Sequence, residues 1–186
     1  MEWVILLLVV AAVGGYAVYA YNMLVRNRQL VEEGWSGIDV QLKRRIDLIP
    51  NMLETVKGYM AHERETLQAV TDARAAVQGA QNASPAERGQ AEGILSGALG
   101  RLFAVAEAYP DLKANTNFLE FQSALQTVED EIQMARRYYN GAVRNLNIAV
   151  YSFPSNVVAG AFGFKKAEYF ELDNETERAV PEVKFS

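Results

Sequence analysis

Apolar residues follow two different rhythms along this chain. Positions 3–25 form one continuous apolar run, opening Trp-Val-Ile-Leu-Leu-Leu-Val-Val, with no charged residue in it. At 1.5 Å per residue this run makes about 34 Å of helix, enough to cross a hydrocarbon core of roughly 30 Å. Beyond it, apolar positions return in alternating steps of three and four, the mark of a helix with one face on a core. The first such stripe is Val31, Trp35, Ile38, Leu42, Ile46 and Ile49. Pro50 comes next, lacking an amide proton and disfavouring helix at the residue before, so the chain must kink or turn over residues 47–50, with a tight turn the favoured form. A second stripe, Leu53, Val56, Met60, Leu67, Val70 and Val77, fades into the breaker residues 79–82. Ser84-Pro85-Ala86-Glu87 is a capping box with proline at the first helical position. It opens a third helix, with Ala91, Leu95, Ala98, Leu102, Val105 and Tyr109 on one face and Pro110 as its stop. Asn117, with Glu120 three residues on, is the predicted cap of a fourth helix. That helix has the most regular stripe: Phe121, Leu125, Val128, Ile132, Ala135, Tyr139, Ala142, Leu146 and Ala149, ending near Pro154.

The pattern therefore predicts an all-α chain. A transmembrane anchor occupies residues 1–25, an antiparallel four-helix bundle residues 26–153, and a short tail residues 154–186. The tail is apolar to residue 170, with Phe162, Phe164, Tyr169 and Phe170 set among glycines and alanines, and polar thereafter except for Val183 and Phe185. A segment so rich in aromatics needs cover. Its own bundle, the membrane surface or a groove on a neighbouring subunit would each supply it.

Charge gives the anchor a direction. Glu2 and the α-amine stand before the apolar run, whereas Arg26 and Arg28 stand after it, with Lys43, Arg44 and Arg45 further on. The positive-inside bias then puts the N-terminus outside and the bundle in the cytoplasm. A cleaved signal peptide is the rival reading, since Val18-Tyr19-Ala20 resembles a small-x-small cleavage site. It lacks the basic n-region, however, and carries its basic flank on the wrong side. Half of the residues are hydrophobic and 22% are charged, so the chain beyond the anchor can build a core. A net charge of −5 argues against nucleic acid, whose phosphates require a basic face.

Candidate chemistry is sparse. With no cysteine there is neither thiol catalysis nor a thiolate metal site, and His62 is the one imidazole. His62-Glu63 lacks the second histidine of a zinc-protease helix, because position 66 is Thr66. A di-iron bundle would need a glutamate at position 59, where Tyr59 stands. No nucleophile elbow or phosphate loop accompanies them; Gly93, Gly97 and Gly100 sit at a spacing suited to close helix packing. Neither catalytic residues, a metal nor a cofactor is expected, and His62 reads as a solvated or hydrogen-bonded residue on the second helix. Lys43-Arg44-Arg45 could bind an anionic ligand, but reads first as a charged turn paired to Asp47 and neighbouring acids. On the fourth helix a polar stripe of Gln122, Glu129, Gln133, Arg136, Asn140 and Asn147 runs beside the apolar one. Glu129, Gln133, Arg136 and Asn140, with the tail aromatics Phe162, Phe164, Tyr169 and Phe170, are the candidates for an internal polar network or a subunit interface.

These segments also resemble a known family. Tyr-Asn-Met-Leu-Val-Arg-Asn-Arg at 21–28, Gly-Trp-Ser-Gly-Ile-Asp-Val-Gln-Leu-Lys-Arg-Arg-Ile-Asp-Leu-Ile-Pro-Asn at 34–51 and Val-Lys-Gly-Tyr-Met-Ala-His-Glu at 56–63 closely resemble LemA proteins. So do Ala-Asn-Thr-Asn-Phe at 114–118, Ala-Arg-Arg-Tyr-Tyr-Asn at 135–140 and residues 153–164. Gly34 stands where alanine is common in that family. The resemblance implies a bacterial protein with a membrane-anchoring N-terminus and a helical bundle, and supplies no catalytic or ligand residue. The expected function is a non-enzymatic scaffold of the inner membrane that self-associates, with the lipid bilayer, further copies of itself and other membrane proteins as partners. The alternative is a monomeric adaptor whose bundle binds another membrane protein, such as a protease or transporter.

Overall fold

The computed structural model describes residues 1–171; the polar end of the tail, with Val183 and Phe185, lies outside them. Among the described residues there are six helices and no strand. They are α1 (Glu2–Lys57), α2 (Arg64–Gly79), α3 (Pro85–Ala106), the single turn α4 (Pro110–Lys113), α5 (Thr116–Tyr151) and α6 (Ser155–Ala161). They divide into two compact units. One comprises Met1–Leu42 and Asp130–Tyr169, the other Lys43–Glu129 with Phe170 and Glu171.

The favoured tight turn at 47–50 does not form: α1 runs through Pro50 to Lys57. A proline inside a helix costs about 3 kcal/mol. Against this, Ile46, Ile49, Met52, Leu53 and Val56 all lie buried on the continued face, each contributing about 1.5–3 kcal/mol. Burial wins. Proline also leaves the carbonyl four residues back without its helical donor, and that carbonyl belongs to Ile46. The Arg74 Nε on α2 donates to it at 3.4 Å. The break comes instead at Gly58, a poor helix former, where the Tyr59 and Met60 amides both turn back onto the Val56 carbonyl. Asn115 Nδ2 donates to the Tyr59 hydroxyl at 3.1 Å, and the Tyr109 hydroxyl to Glu63 Oε1 at 2.9 Å, so two side chains hold this turn. His62 lies here, exposed, rather than on the second helix.

The capping box forms as read. Ser84 Oγ accepts from the Glu87 amide, and Glu87 Oε2 from the Ser84 amide. That hydrogen bonding holds the Glu87 carboxyl below the usual range. The cap of α5 is not Asn117 but Asn115, whose Oδ1 accepts from the Phe118 amide at 3.1 Å. Around the two turns, Val70, Val77, Leu95, Leu102, Leu112 and Phe118 join the continued face of α1 in one core, with α2 and α3 packed directly on each other.

In the other unit the stripe of α5 faces inward from Ile132 to Ala149, with Ala135 half-buried. Gly34 sets its spacing. A Cβ there would meet Tyr139 Cα at 3.0 Å and Tyr138 Cδ1 at 3.1 Å. At Gly97 and Gly100, by contrast, a Cβ would meet nothing within 4 Å, so those two do not serve the close packing expected of them.

Arg74→Met should lower stability by about 1 kcal/mol, and in a Pro50→Ala background, where the Ile46 carbonyl regains its helical donor, the loss should shrink towards zero. A double-mutant cycle by urea unfolding measures this; equal losses in both backgrounds contradict the pairing. Gly37→Ala, in open space, should gain about 1 kcal/mol of helix propensity. Gly34→Ala should give no gain or a loss, and a thermal midpoint raised equally by both would refute the contact.

Candidate functional site

Two groupings carry the polar and aromatic chemistry, one in each unit. The first centres on Arg45. Its basic neighbours Lys43 and Arg44 are at least partly exposed, whereas Arg45 is 1% exposed. The expected charged turn is not found: the three residues lie inside α1, and Arg45 points into the core. Nη1 contacts Glu92 Oε2 at 3.2 Å, and Nη2 contacts Glu129 Oε1 and Ser96 Oγ, each at 2.7 Å. Arg88, also buried, donates to the Gln81 carbonyl from the same helix as Glu92. Glu92 is fully buried, and its Oε1 makes no hydrogen bond. Burial pushes the Glu92 carboxyl up to about 6, outweighing the downward pull of Arg45 and then Arg88.

A signal for this cluster was present in the sequence. Ile38, Leu42, Arg45 and Ile49 continue the four-three-four step, so Arg45 falls on the apolar face as much as Ile46 does. Arg88, Glu92, Leu95 and Leu99 form a similar series. An ion pair so placed loses as much by desolvation as it gains by attraction. Displacing one partner would leave a lone buried charge, which is costly. Phe170 and Glu171 belong to this unit too. Phe170 is fully buried, and a Cβ at Gly89 would collide with the Glu171 carbonyl oxygen. Gly89 is thus the residue that admits the tail, a role its sequence context does not announce. An open cleft of about 390 Å³, lined by Leu48, Met52, Thr55, Phe118, Phe121 and Ala124 among others, lies on the same unit.

The second grouping lies where the tail meets α1 and α5. The Tyr139 hydroxyl donates to the Glu168 carbonyl at 2.8 Å; burial and then Glu168 push its pKa up to about 12. Asn147 clamps Ala167 from both sides, accepting from its amide at 2.8 Å and donating to its carbonyl at 3.0 Å. Phe164 is half-buried, edge-on to Tyr21 and beneath the Arg28 guanidinium, which lies 5.4 Å from its ring centroid. Phe162 meets Tyr21 at 4.9 Å yet stays largely exposed, and Tyr169 is also exposed.

The eight sequence candidates are divided between the two units. Glu129 belongs to the Arg45 cluster. Gln133, Arg136 and Asn140 lie half-buried along α5 in the other unit. Phe164 and Phe170 are turned inward, Phe162 and Tyr169 outward. Among the described residues no three His, Cys, Asp or Glu side chains gather where they could hold a metal.

A model of the LemA family matches residues 34–185. The chain belongs to the LemA family. Protein LemA of Metamycoplasma hominis is 31% identical over 159 residues, covering 84% of this chain and 71% of that one. Magnetosome protein MamQ 2 of Paramagnetospirillum magneticum is 29% identical over 175 residues, and magnetosome protein MamQ of Magnetospirillum gryphiswaldense 26% over 174. Each of these two alignments covers 81% of this chain and 64% of the magnetosome protein, so this LemA chain spans less than two thirds of those relatives. None of the names is that of an enzyme. The apolar segment lies ahead of the family match. It is long and apolar enough to cross a membrane, and only 6% of its most apolar stretch is buried within the chain's own fold. That exposure fits membrane anchoring rather than the core helix of a soluble protein.

The Glu92 titration gives a pH test. Its carboxyl titrates near 6 when folded against 4.5 unperturbed, so the folded chain holds the proton more tightly. The associated stability is complete below 4.5 and is lost as pH rises through 6, on the order of 2 kcal/mol at most. Glu92→Gln should abolish it. Urea midpoints of both proteins between about pH 5 and 7 check this: the native protein should gain on the variant as pH falls, and a constant difference disproves the coupling.

Proposed function

We propose that this LemA-family protein is a non-enzymatic, membrane-anchored scaffold that self-associates and organises the inner membrane or other membrane proteins. The observation that carries the reading is α1 itself. A charge-free, exposed apolar segment and the helix that builds the buried stripe are one unbroken element. Whatever the amphipathic helices hold is thereby held at the bilayer. The magnetosome relatives are named for a body they belong to rather than for a reaction, which supports an organising role.

Orientation is read from the basic residues Arg26 and Arg28 on the C-terminal flank: N-terminus outside, helices in the cytoplasm as an antiparallel four-helix bundle. A retained anchor is supported by its packing. Ala20 and Leu24 are fully buried against Leu146, Ala149, Val158 and Ala159, so cleavage after Ala20 would cut through a packed helix.

Self-association is best served by α5. Met134 and Tyr138, one turn apart, are about half exposed beside Gln133, Arg136 and Asn140. An apolar pair rimmed by arginine and amides suits a helix-to-helix contact between copies. The adaptor reading, a monomer that binds another membrane protein, draws on the open cleft beside Phe118 and Phe121. Light scattering in mild detergent separates the two. The native protein should be larger than one subunit, and Met134→Lys should reduce it to monomers with its helical content intact. A monodisperse monomer before mutation refutes the scaffold.

A further inference from the structure

The sequence contains a second long charge-free run. Between Arg144 and Lys165 there is no Asp, Glu, Lys, Arg or His, and the run ends on Lys165-Lys166. It covers the last two turns of α5, the corner at residues 152–154 and all of α6. Its inner side is accounted for: Leu146, Ala149, Val158 and Ala159 pack on Ala17, Ala20 and Leu24. Its outer side is not. Phe153 is 82% exposed, Tyr151 68%, Val157 and Phe162 63% each, and Ile148 56%.

The level at which this corner packs decides what covers it. Ala17, Ala20 and Leu24 lie within the apolar segment 3–25, and Ala17 precedes Arg26 by about 13 Å along the helix. Resting on the proposed anchor, we infer that the α5–α6 corner is a second membrane-inserted element. It would be a wedge sunk beside the anchor into the leaflet where the anchor emerges. Arg26, Arg28, Arg144, Lys165 and Lys166 all fall at the ends of the two charge-free runs, where anionic headgroups would meet them.

The corner is also built for a medium that offers no hydrogen bonds. An inserted backbone must satisfy itself, and here it largely does. The Ser152 amide donates to the Ile148 carbonyl at 2.8 Å, the Asn156 amide to the Ser152 carbonyl at 2.8 Å and the Phe164 amide to the Ala159 carbonyl at 2.9 Å. Pro154 has no amide proton to satisfy. Ser155, buried, turns its hydroxyl onto the Ala149 and Ser152 carbonyls at 2.7 and 2.9 Å. Such closure also occurs in corners that face water; what sets this one apart is the phenylalanine and tyrosine exposed beside it. Continuity with the exposed apolar face of α1 favours lipid, because the medium that covers residues 3–25 would extend without a break over the corner.

The chain's lack of cysteine makes the test direct. Single cysteines at Phe153 and Val157 are labelled with a polarity-sensitive fluorophore in the full-length protein, reconstituted in phosphatidylethanolamine–phosphatidylglycerol vesicles. Val10, inside the anchor, is the lipid control, and Glu65, on α2, the aqueous one. Labels at 153 and 157 should emit to the blue of the label at 65. Nitroxide-bearing lipid should quench them, a nitroxide near the headgroup more than one near the chain end, and aqueous iodide should not. If iodide quenches 153 and 157 while lipid quenches position 10, the wedge is refuted and the anchor stands. If neither quencher reaches 153 and 157, a protein covers the corner and the wedge is again refuted. If lipid fails to quench position 10, the anchor reading falls and the wedge with it.

Discussion

A helix cannot leave so long a run of apolar side chains in water. From Trp3 to Val13 nearly every large residue of α1 is more than half exposed, and nothing else among the described residues covers them. At about 25 cal/mol for each Å² of apolar surface removed from water, covering this face outweighs any single contact elsewhere in the molecule. The element that carries this surface, α1, contributes residues to both compact units. Because α1 continues without a joint to Lys57, the segment that carries this surface and the residues of the buried stripe belong to one helix.

That continuity explains features that look costly in isolation. Pro50 breaks a ladder hydrogen bond within α1, and a break there would have ended the helix before Met52, Leu53 and Val56 reached the core. The chain keeps the helix, with Arg74 supplying the missing donor to Ile46. Arg45 obeys the same logic. A buried guanidinium is a poor way to add stability, but its partners Glu92 and Glu129 come from α3 and α5. Three helices must meet in one register for all the charges to be met. The Glu92 carboxyl, held near 6, records how incomplete that compensation is.

The rhythm of apolar residues made much of this legible in advance. The stripe of α5 was readable almost residue by residue because its period holds from Phe121 to Ala149, and the Ser84–Glu87 box because its hydrogen bonds are local. What escaped the sequence was decided by distant partners. Pro50 reads as a stop in any local rule, since the Arg74 that makes it tolerable lies on another helix. Asn115 and Asn117 are equally good caps locally, and the packing of Phe118 and Leu112 on the core favours the earlier one. Lys43-Arg44-Arg45 reads as a solvated cluster by composition; only the phase of the stripe separates Arg45 from its neighbours. Gly34 looks like a defect in a helix, while its value lies in how near Tyr139 can come.

The tail shows how the two rhythms of the sequence connect. Its aromatics divide, Phe164 and Phe170 inward, Phe162 and Tyr169 outward. A tail that merely completed a soluble core would turn its largest side chains in. A tail serving only another protein would not fasten itself to its own chain through Asn147, Tyr139 and a glycine kept free of a side chain. Doing both means that the tail is fixed first by the chain's own groups and then offers the remaining surface outward. A pre-fixed surface loses little conformational entropy when it is covered, so even a small patch beside the anchor can hold its place at the bilayer.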